Sequence, residues 1–267
     1  MTETTLQPWR TLSGPLGAEQ LGADDRPRVV FVHGFTQTAE SWKPIAEHFV
    51  VHRDIQAIVV DLPGHGRSTH VRADLRRIAD MLAQTGRNAV YVGYSLGGRA
   101  CLHLAVMYPH LVRRLVLVGA NPGIDDDEER AERRASDDAL AVRILELGVP
   151  AFLAEWSAMP LFGGHPLSDA ELADRGRNSP EGLANSLRMA GTGAQGSLWP
   201  RLRELAMPVL ALAGAEDEKF VAIAEQIATL APRGDFASIA GAAHAAHQQQ
   251  PEAVVAAIDQ WLPWSRL

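Results

Sequence analysis

Six short apolar runs, each bounded by turn residues, set what this chain can fold into. They are VVFV (29–32), AIVV (57–60), AVYV (89–92), RLVLV (114–118), PVLALA (208–213) and DFASIA (235–240). Between most of them lie stretches of helical spacing, as with Leu75, Ile78, Ala79 and Leu82. A strand that is apolar along its whole length has no face to present to water. It must be covered on both sides, and intervening helices supply the cover. The pattern predicts an α/β protein with a mostly parallel sheet flanked by helices. At 267 residues and 46% hydrophobic content the chain can fill a large core.

The rhythm breaks between 119 and 207, too long an interval for one crossover and without a convincing strand. It reads as helices over DDDEERAERR (125–134), ALAVRILELG (139–148) and PAFLAEW (150–156). The expectation is a core of residues 1–118 and 208–267 with a helical cap insertion at 119–207. Such a cap sits above the strands' C-terminal ends, where open α/β sheets bind ligands. Within the charged tract, Asp126–Arg130 and Glu129–Arg133 are acid-first pairs four apart, each worth ~0.2–0.5 kcal/mol. Acid first and base later also complements the helix dipole, so most of this run is expected to be a solvated face.

A net charge of −7 argues against nucleic acid or an anionic membrane as partner. No run approaches the ~18 apolar residues of a membrane span. Residues 1–20 lack the basic and apolar regions of a secretion signal, and the expectation is a cytoplasmic protein. The one cysteine, Cys101, leaves no internal disulfide, and its apolar surroundings (RACLHLAV) assign it to the core.

Chemistry concentrates at GYSLGG (93–98). Ser95 falls where a strand turns abruptly into a helix. Gly93 and Gly97 allow the tight, strained backbone that lifts a hydroxyl clear of the sheet. Such a serine needs a base, and the base an orienting acid, in the chain order Ser…Asp/Glu…His. GAEDEKF after the PVLALA run offers Asp217, flanked by Glu216 and Glu218; GAAHAAH after the DFASIA run offers His244, with His247 three residues on. A buried acid at a loop apex fits Asp217 best, and His247, opening the polar run HQQQP, reads as secondary. An oxyanion hole needs two backbone N–H donors. Leu96, next to the serine, gives one; Phe35 of HGFT (33–36) after the first run gives the other. DLPGHGRS (61–68) reads as a supporting loop. Its His65, and His70 beyond it, read as surface or loop residues, because no metal-ligand spacing accompanies them.

HGF, DLPGHGRS, GYSLGG, a late Asp and a late His together resemble the α/β-hydrolase fold. GYSLGGR, NPGIDDDEERAERRASDD, FLAEWSAMPLF and EDEKF resemble one family on it more closely. That family is the menaquinone-pathway synthase forming 2-succinyl-6-hydroxy-2,4-cyclohexadiene-1-carboxylate, a lyase that expels pyruvate. The likeness runs from about Val29 to Pro251. It implies a Ser95–Asp217–His244 triad in which serine is the general base, with Phe35 and Leu96 as oxyanion donors. It also implies Arg99, Arg133 and Lys219 as basic substrate-binding residues and Tyr94 and Trp156 as pocket aromatics. The implied substrate is a small polycarboxylate, with no metal and no organic cofactor.

Three departures stand out: Ala243 before the histidine where the family often has glycine, Glu216 beside the acid, and a poorly matching GTGAQGS (191–197). Two other functions stay open. A serine hydrolase acting on an acidic ester or a C–C bond would share the triad and the arginines. A ligand sensor on the same fold would keep the pocket without catalysis. Arg99 itself has an alternative placement, turned outward to an acidic neighbour.

Overall fold

The computed structural model describes residues 8–266. The first seven residues, part of the segment read for a secretion signal, and Leu267 lie outside it. The six apolar runs form six parallel strands: β3 (Arg28–Val32), β4 (Gln56–Asp61), β5 (Ala89–Tyr94), β6 (Val112–Val118), β7 (Val209–Gly214) and β8 (Gly234–Ile239). Two strands precede them, β1 (Arg10–Leu12) and β2 (Gly17–Leu21), both antiparallel, and the sheet order is β1-β2-β4-β3-β5-β6-β7-β8. This edge was not predicted. β1 has three residues, and Glu19 and Gln20 interrupt the apolar pattern of β2. Glu19 is instead paired with Lys43 and Arg67, so tertiary ion pairs rather than local hydropathy hold the strand.

β4, β5 and β7 are buried along their whole length, and hydrophobic clusters cover both faces of the sheet. One face packs on α2 (Leu75–Gly86), α3 (Leu96–Met107) and α7 (Glu218–Leu230), the other on α1 (Lys43–Arg53) and α8 (Pro251–Trp261). The periodic residues Leu75, Ile78, Ala79 and Leu82 are the buried stripe of α2. Each large side chain removed from water on such a face contributes ~1.5–3 kcal/mol. Cys101 is fully buried on α3, where burial pushes its thiol pKa up.

Between β6 and β7 the chain is helical, with no strand. α4 (Asp127–Ser157) is one long helix kinked at Gly148, where φ is 71° and ψ 168°. The first two predicted helices are therefore continuous, and the third follows the kink with Pro150 near its start. α5 (Asp169–Arg175) and α6 (Pro180–Ala190) follow. Ala141, Ile144, Phe152, Leu183 and Leu187 give α4 and α6 a small core of their own. The acid-first pairs do not form as expected. Asp126 caps α4 by accepting from the Glu129 N–H, which leaves Arg130 to pair with Asp127. Arg133 pairs with Asp137, not Glu129. Among the described residues no helix is long and apolar enough to cross a membrane.

Candidate active site

The candidate catalytic side chains stand on loops at the C-terminal ends of parallel strands. Ser95 follows β5 with φ 49° and ψ −110°, a strained backbone that its N–H anchors by donating to the Val118 carbonyl at 2.9 Å. The turn requires α3 to start against β3: a Cβ on Gly97 would lie 2.2 Å from the Val32 carbonyl oxygen. Asp217 follows β7 and is the N-cap of α7, its Oδ1 accepting from the Phe220 N–H at 3.3 Å. Its Oδ2 accepts from His244 Nδ1 at 3.0 Å, and the Ser95 hydroxyl lies 3.2 Å from His244 Nε2. Asp217 and His244 are both buried. These contacts fix the tautomer: Nδ1 carries the proton, and Nε2 can accept one from serine.

Leu96 is the first residue of α3, so its N–H has no intrahelical acceptor and points out of the helix end. The Phe35 N–H has no acceptor among the described residues. His33 Nδ1 donates to the Gly34 carbonyl at 2.7 Å, fixing the peptide that carries the Phe35 N–H. Both donors border the cavity that holds Ser95 and His244, about 180 Å³ in volume. Tyr94, Trp156, Arg99, Arg133 and Lys219 line it too.

Arg99 faces inward, which disposes of the outward alternative. It is 7% exposed, and its Nη1 donates to the Ala190 carbonyl at 2.8 Å and Gln195 Oε1 at 3.2 Å. Both partners are neutral. Burial, and secondarily Arg133 alongside, pulls its pKa down to about 10, so the guanidinium is charged at neutral pH. The poorly matching GTGAQGS segment is thus a working wall. Gln195 holds Arg99, and the Gly193 N–H donates at 3.0 Å to Asp137, the partner of Arg133. Arg133 gives Asp137 only its Nε. Beyond Arg133 and Lys219 the cavity continues into a mouth of about 420 Å³. Glu216 faces His165 and does not line the cavity.

Sequence reasoning overlooked Arg175, which carries no motif signal because it reaches the cavity only through the tertiary placement of α5. It is almost completely buried, donating to Thr36 Oγ1 at 2.9 Å and Gln248 Oε1 at 2.7 Å. Its Nε, Trp156 Nε1 and Ser186 Oγ are buried polar atoms on the cavity wall with no partner among the described residues. Buried polar groups are normally satisfied, so three around one cavity mark a site shaped for a polar ligand. His65, read as a surface or loop residue, lies in the loop but not at the surface. It is fully buried beneath the oxyanion loop, and burial pulls its pKa down to about 3. His247 is buried between Trp42 and Tyr94 with neither nitrogen partnered, so it has no part in the triad. Among the described residues no cluster of His, Cys, Asp or Glu is placed to hold a metal ion. A groove of about 710 Å³ beside α1 and α5 does not reach the triad.

Residues 29–257 match the α/β hydrolase family. A Bacillus subtilis (strain 168) protein bearing the 2-succinyl-6-hydroxy-2,4-cyclohexadiene-1-carboxylate synthase name is 36% identical, covering 88% of this chain and 91% of its own length. The synthase of Salmonella heidelberg (strain SL476) is 32% identical over 90% of this chain and 96% of its own. The solved structure of MenH from S. aureus superposes with a TM-score of 0.85 at 30% identity, covering 96% of this chain and all of that one. The chain belongs to this synthase family.

A thermophilic esterase from Thermogutta terrifontis also superposes, with a TM-score of 0.77 at 26% identity over 97% of this chain and 98% of that one. Synthase and esterase thus share a frame. The three basic residues to which the sequence resemblance pointed all line the cavity: Arg99 follows the elbow, Arg133 lies on α4 and Lys219 is in the first turn of α7.

Proposed function

We propose that this protein eliminates pyruvate from a succinyl- and enolpyruvyl-bearing cyclohexene carboxylate, yielding 2-succinyl-6-hydroxy-2,4-cyclohexadiene-1-carboxylate for menaquinone synthesis. The observation that carries the proposal is Arg99, a buried guanidinium on the cavity wall one helical turn from Ser95, held only by neutral groups. An esterase of neutral substrates has no use for a buried cation hydrogen-bonded only to neutral groups, whose desolvation is costly unless an anion arrives. The substrate has three carboxylates. Arg99 and Arg175 can meet them from the interior, and Arg133 and Lys219 from the mouth. Helices 119–207 form the cap that supplies two of these four cations.

Ser95 Oγ takes a ring proton and passes its own hydroxyl proton to His244 Nε2. Asp217 stabilises the resulting imidazolium. The electron pair left on the ring spreads into a carbonyl, whose oxygen sits between the Phe35 and Leu96 N–H groups. As that charge returns, a ring double bond forms and the C–O bond to the enolpyruvyl group breaks. The leaving group takes the proton from His244 and departs as pyruvate.

Supplying the substrate and following pyruvate tests this directly. Pyruvate should appear with one diene product per turnover, and intact mass after rapid quench should show unmodified protein. Ser95→Ala should lower kcat by ~10²-fold or more with the fold intact. A substrate-derived adduct on Ser95 during turnover would instead establish nucleophilic catalysis and a hydrolase.

A further inference from the structure

We infer that Asn178, outside the cavity, is a positioning residue that clamps the oxyanion loop through Thr36, together with Arg175 on the cavity wall. Thr36 directly follows Phe35 and is buried with φ 70°, left-handed backbone that a β-branched residue adopts only under constraint. All three of its polar groups are held. Its N–H donates to His65 Nε2 at 3.3 Å, its Oγ1 accepts from Arg175 Nη1 at 2.9 Å, and its carbonyl accepts from Asn178 Nδ2 at 2.7 Å.

Asn178 is the junction of this arrangement. Its Nδ2 also donates to the Arg175 carbonyl at 3.0 Å, and its Oδ1 accepts from the Gly66 N–H at 2.8 Å. One buried amide therefore ties together the oxyanion loop, the Gly/Pro-rich loop after β4 and the chain just beyond α5. It does not itself line the catalytic cavity. Upstream, the oxyanion loop is anchored by β3 and by His33 Nδ1 on the Gly34 carbonyl. Downstream, the only side-chain anchors of the Thr36 backbone among the described residues are His65 and Asn178. Without the clamp, Thr36 can relax to negative φ. The turn closed by the Gln37 N–H on the Gly34 carbonyl at 3.2 Å then opens, the Gly34–Phe35 peptide loses one of its holds, and the Phe35 N–H loses its aim at the developing oxyanion.

An oxyanion donor acts chiefly in the transition state, so its misalignment lowers kcat and leaves KM nearly unchanged. Complete loss of one such donor costs ~10²–10³-fold in kcat, and a displaced one should cost ~10–100-fold. The inference rests on Ser95 chemistry in this cavity, so the test reads two signals. One is kcat and KM for pyruvate release. The other is the second-order rate at which a fluorophosphonate, losing fluoride, phosphonylates Ser95, a reaction that needs the same N–H groups whatever the natural substrate.

Asn178→Ala and Asn178→Asp should lower kcat and the labelling rate by a similar factor, with KM within about twofold of wild type and Tm shifted little. Adding Thr36→Gly to Asn178→Ala should recover part of both rates, because glycine takes positive φ without a clamp. Unchanged labelling in both Asn178 variants overturns the inference. So does a loss that follows a lowered Tm or a raised KM and worsens when Thr36→Gly is added. A wild-type protein that labels at Ser95 yet releases no pyruvate defeats the synthase proposal alone, and the labelling rates still judge the clamp.

Discussion

Arg99 and Arg133 carry the same charge in very different settings, and their substitution should show it. Arg99 is 7% exposed and bonded only to neutral groups, whereas the Arg133 side chain is 45% exposed and already paired with Asp137. A charge-assisted contact shielded from water is worth ~1.5–3 kcal/mol. Arg99→Ala should therefore lower kcat/KM for the tricarboxylate by roughly 10–150-fold. Arg133→Ala and Lys219→Ala, facing the wetter mouth, should each cost roughly 3–10-fold, in the range of partly screened pairs. Arg99→Lys should restore only part, because a point charge replaces a planar fork that also reaches Ala190 and Gln195. Steady-state kinetics on these variants gives the answer. Losses below threefold in all of them would remove the polycarboxylate from the proposal.

At the scale of elements, the kink in α4 does what no single pocket residue can. It turns the last two turns of the helix so that Phe152 and Trp156 pack on Phe35, at ring-centroid separations of 6.4 and 5.3 Å. The kink depends on a backbone region open essentially to glycine alone, and the space around Gly148 is empty, so any penalty there is conformational rather than steric. Gly148→Ala should cost ~1–3 kcal/mol of stability, or straighten α4 to escape that cost. Straightening withdraws Trp156 from the cavity. Activity should then fall severalfold or more through KM, while the fluorophosphonate rate at Ser95, set by the core loops, stays near wild type. A variant with both unchanged would show that the bend does not serve the site. Gly97 differs, because its missing Cβ faces the Val32 carbonyl and substitution there must displace Ser95 itself.

For the whole molecule, buried histidines make the folded state sensitive to acid. Burial lowers the pKa of His33, His65 and His247, that of His65 to about 3. In the unfolded chain each titrates near 6.5. Above that pH neither state carries the proton and the three contribute no pH dependence. As pH falls below it, the unfolded chain gains protons that the folded chain refuses, so stability declines. His65 should cost about 1.4 kcal/mol by pH 5.5 relative to pH 7.5, and His33 and His247 add to the loss in the same direction. Urea unfolding across that range should reveal the loss. His247→Leu should make the loss smaller and leave stability near wild type at pH 7.5, since neither ring nitrogen has a partner to lose. Wild-type stability that is level across the range would refute this account.

Continuous apolar runs and glycine spacing are local properties, and they were enough to specify the six parallel strands, the elbow at Ser95 and the order of acid and base behind it. A wholly buried strand must be apolar throughout, and a strained turn must be flanked by glycine, so both leave a mark readable in one dimension. The basic wall was legible only in part. Family resemblance pointed to Arg99, Arg133 and Lys219, but whether Arg99 faced the cavity or an outer carboxylate depended on Ala190 and Gln195, about ninety positions away. The antiparallel edge, Arg175 and the Asn178 junction left no local trace. Glu19 is stabilised by Lys43 and Arg67, and Asn178 by Thr36 and Gly66, contacts that exist only once distant segments are packed together. The hydrophobic pattern fixes which segments are buried. Which polar groups then meet inside is decided by the tertiary structure, because a buried hydrogen bond is specified by its partner and not by its own residue type.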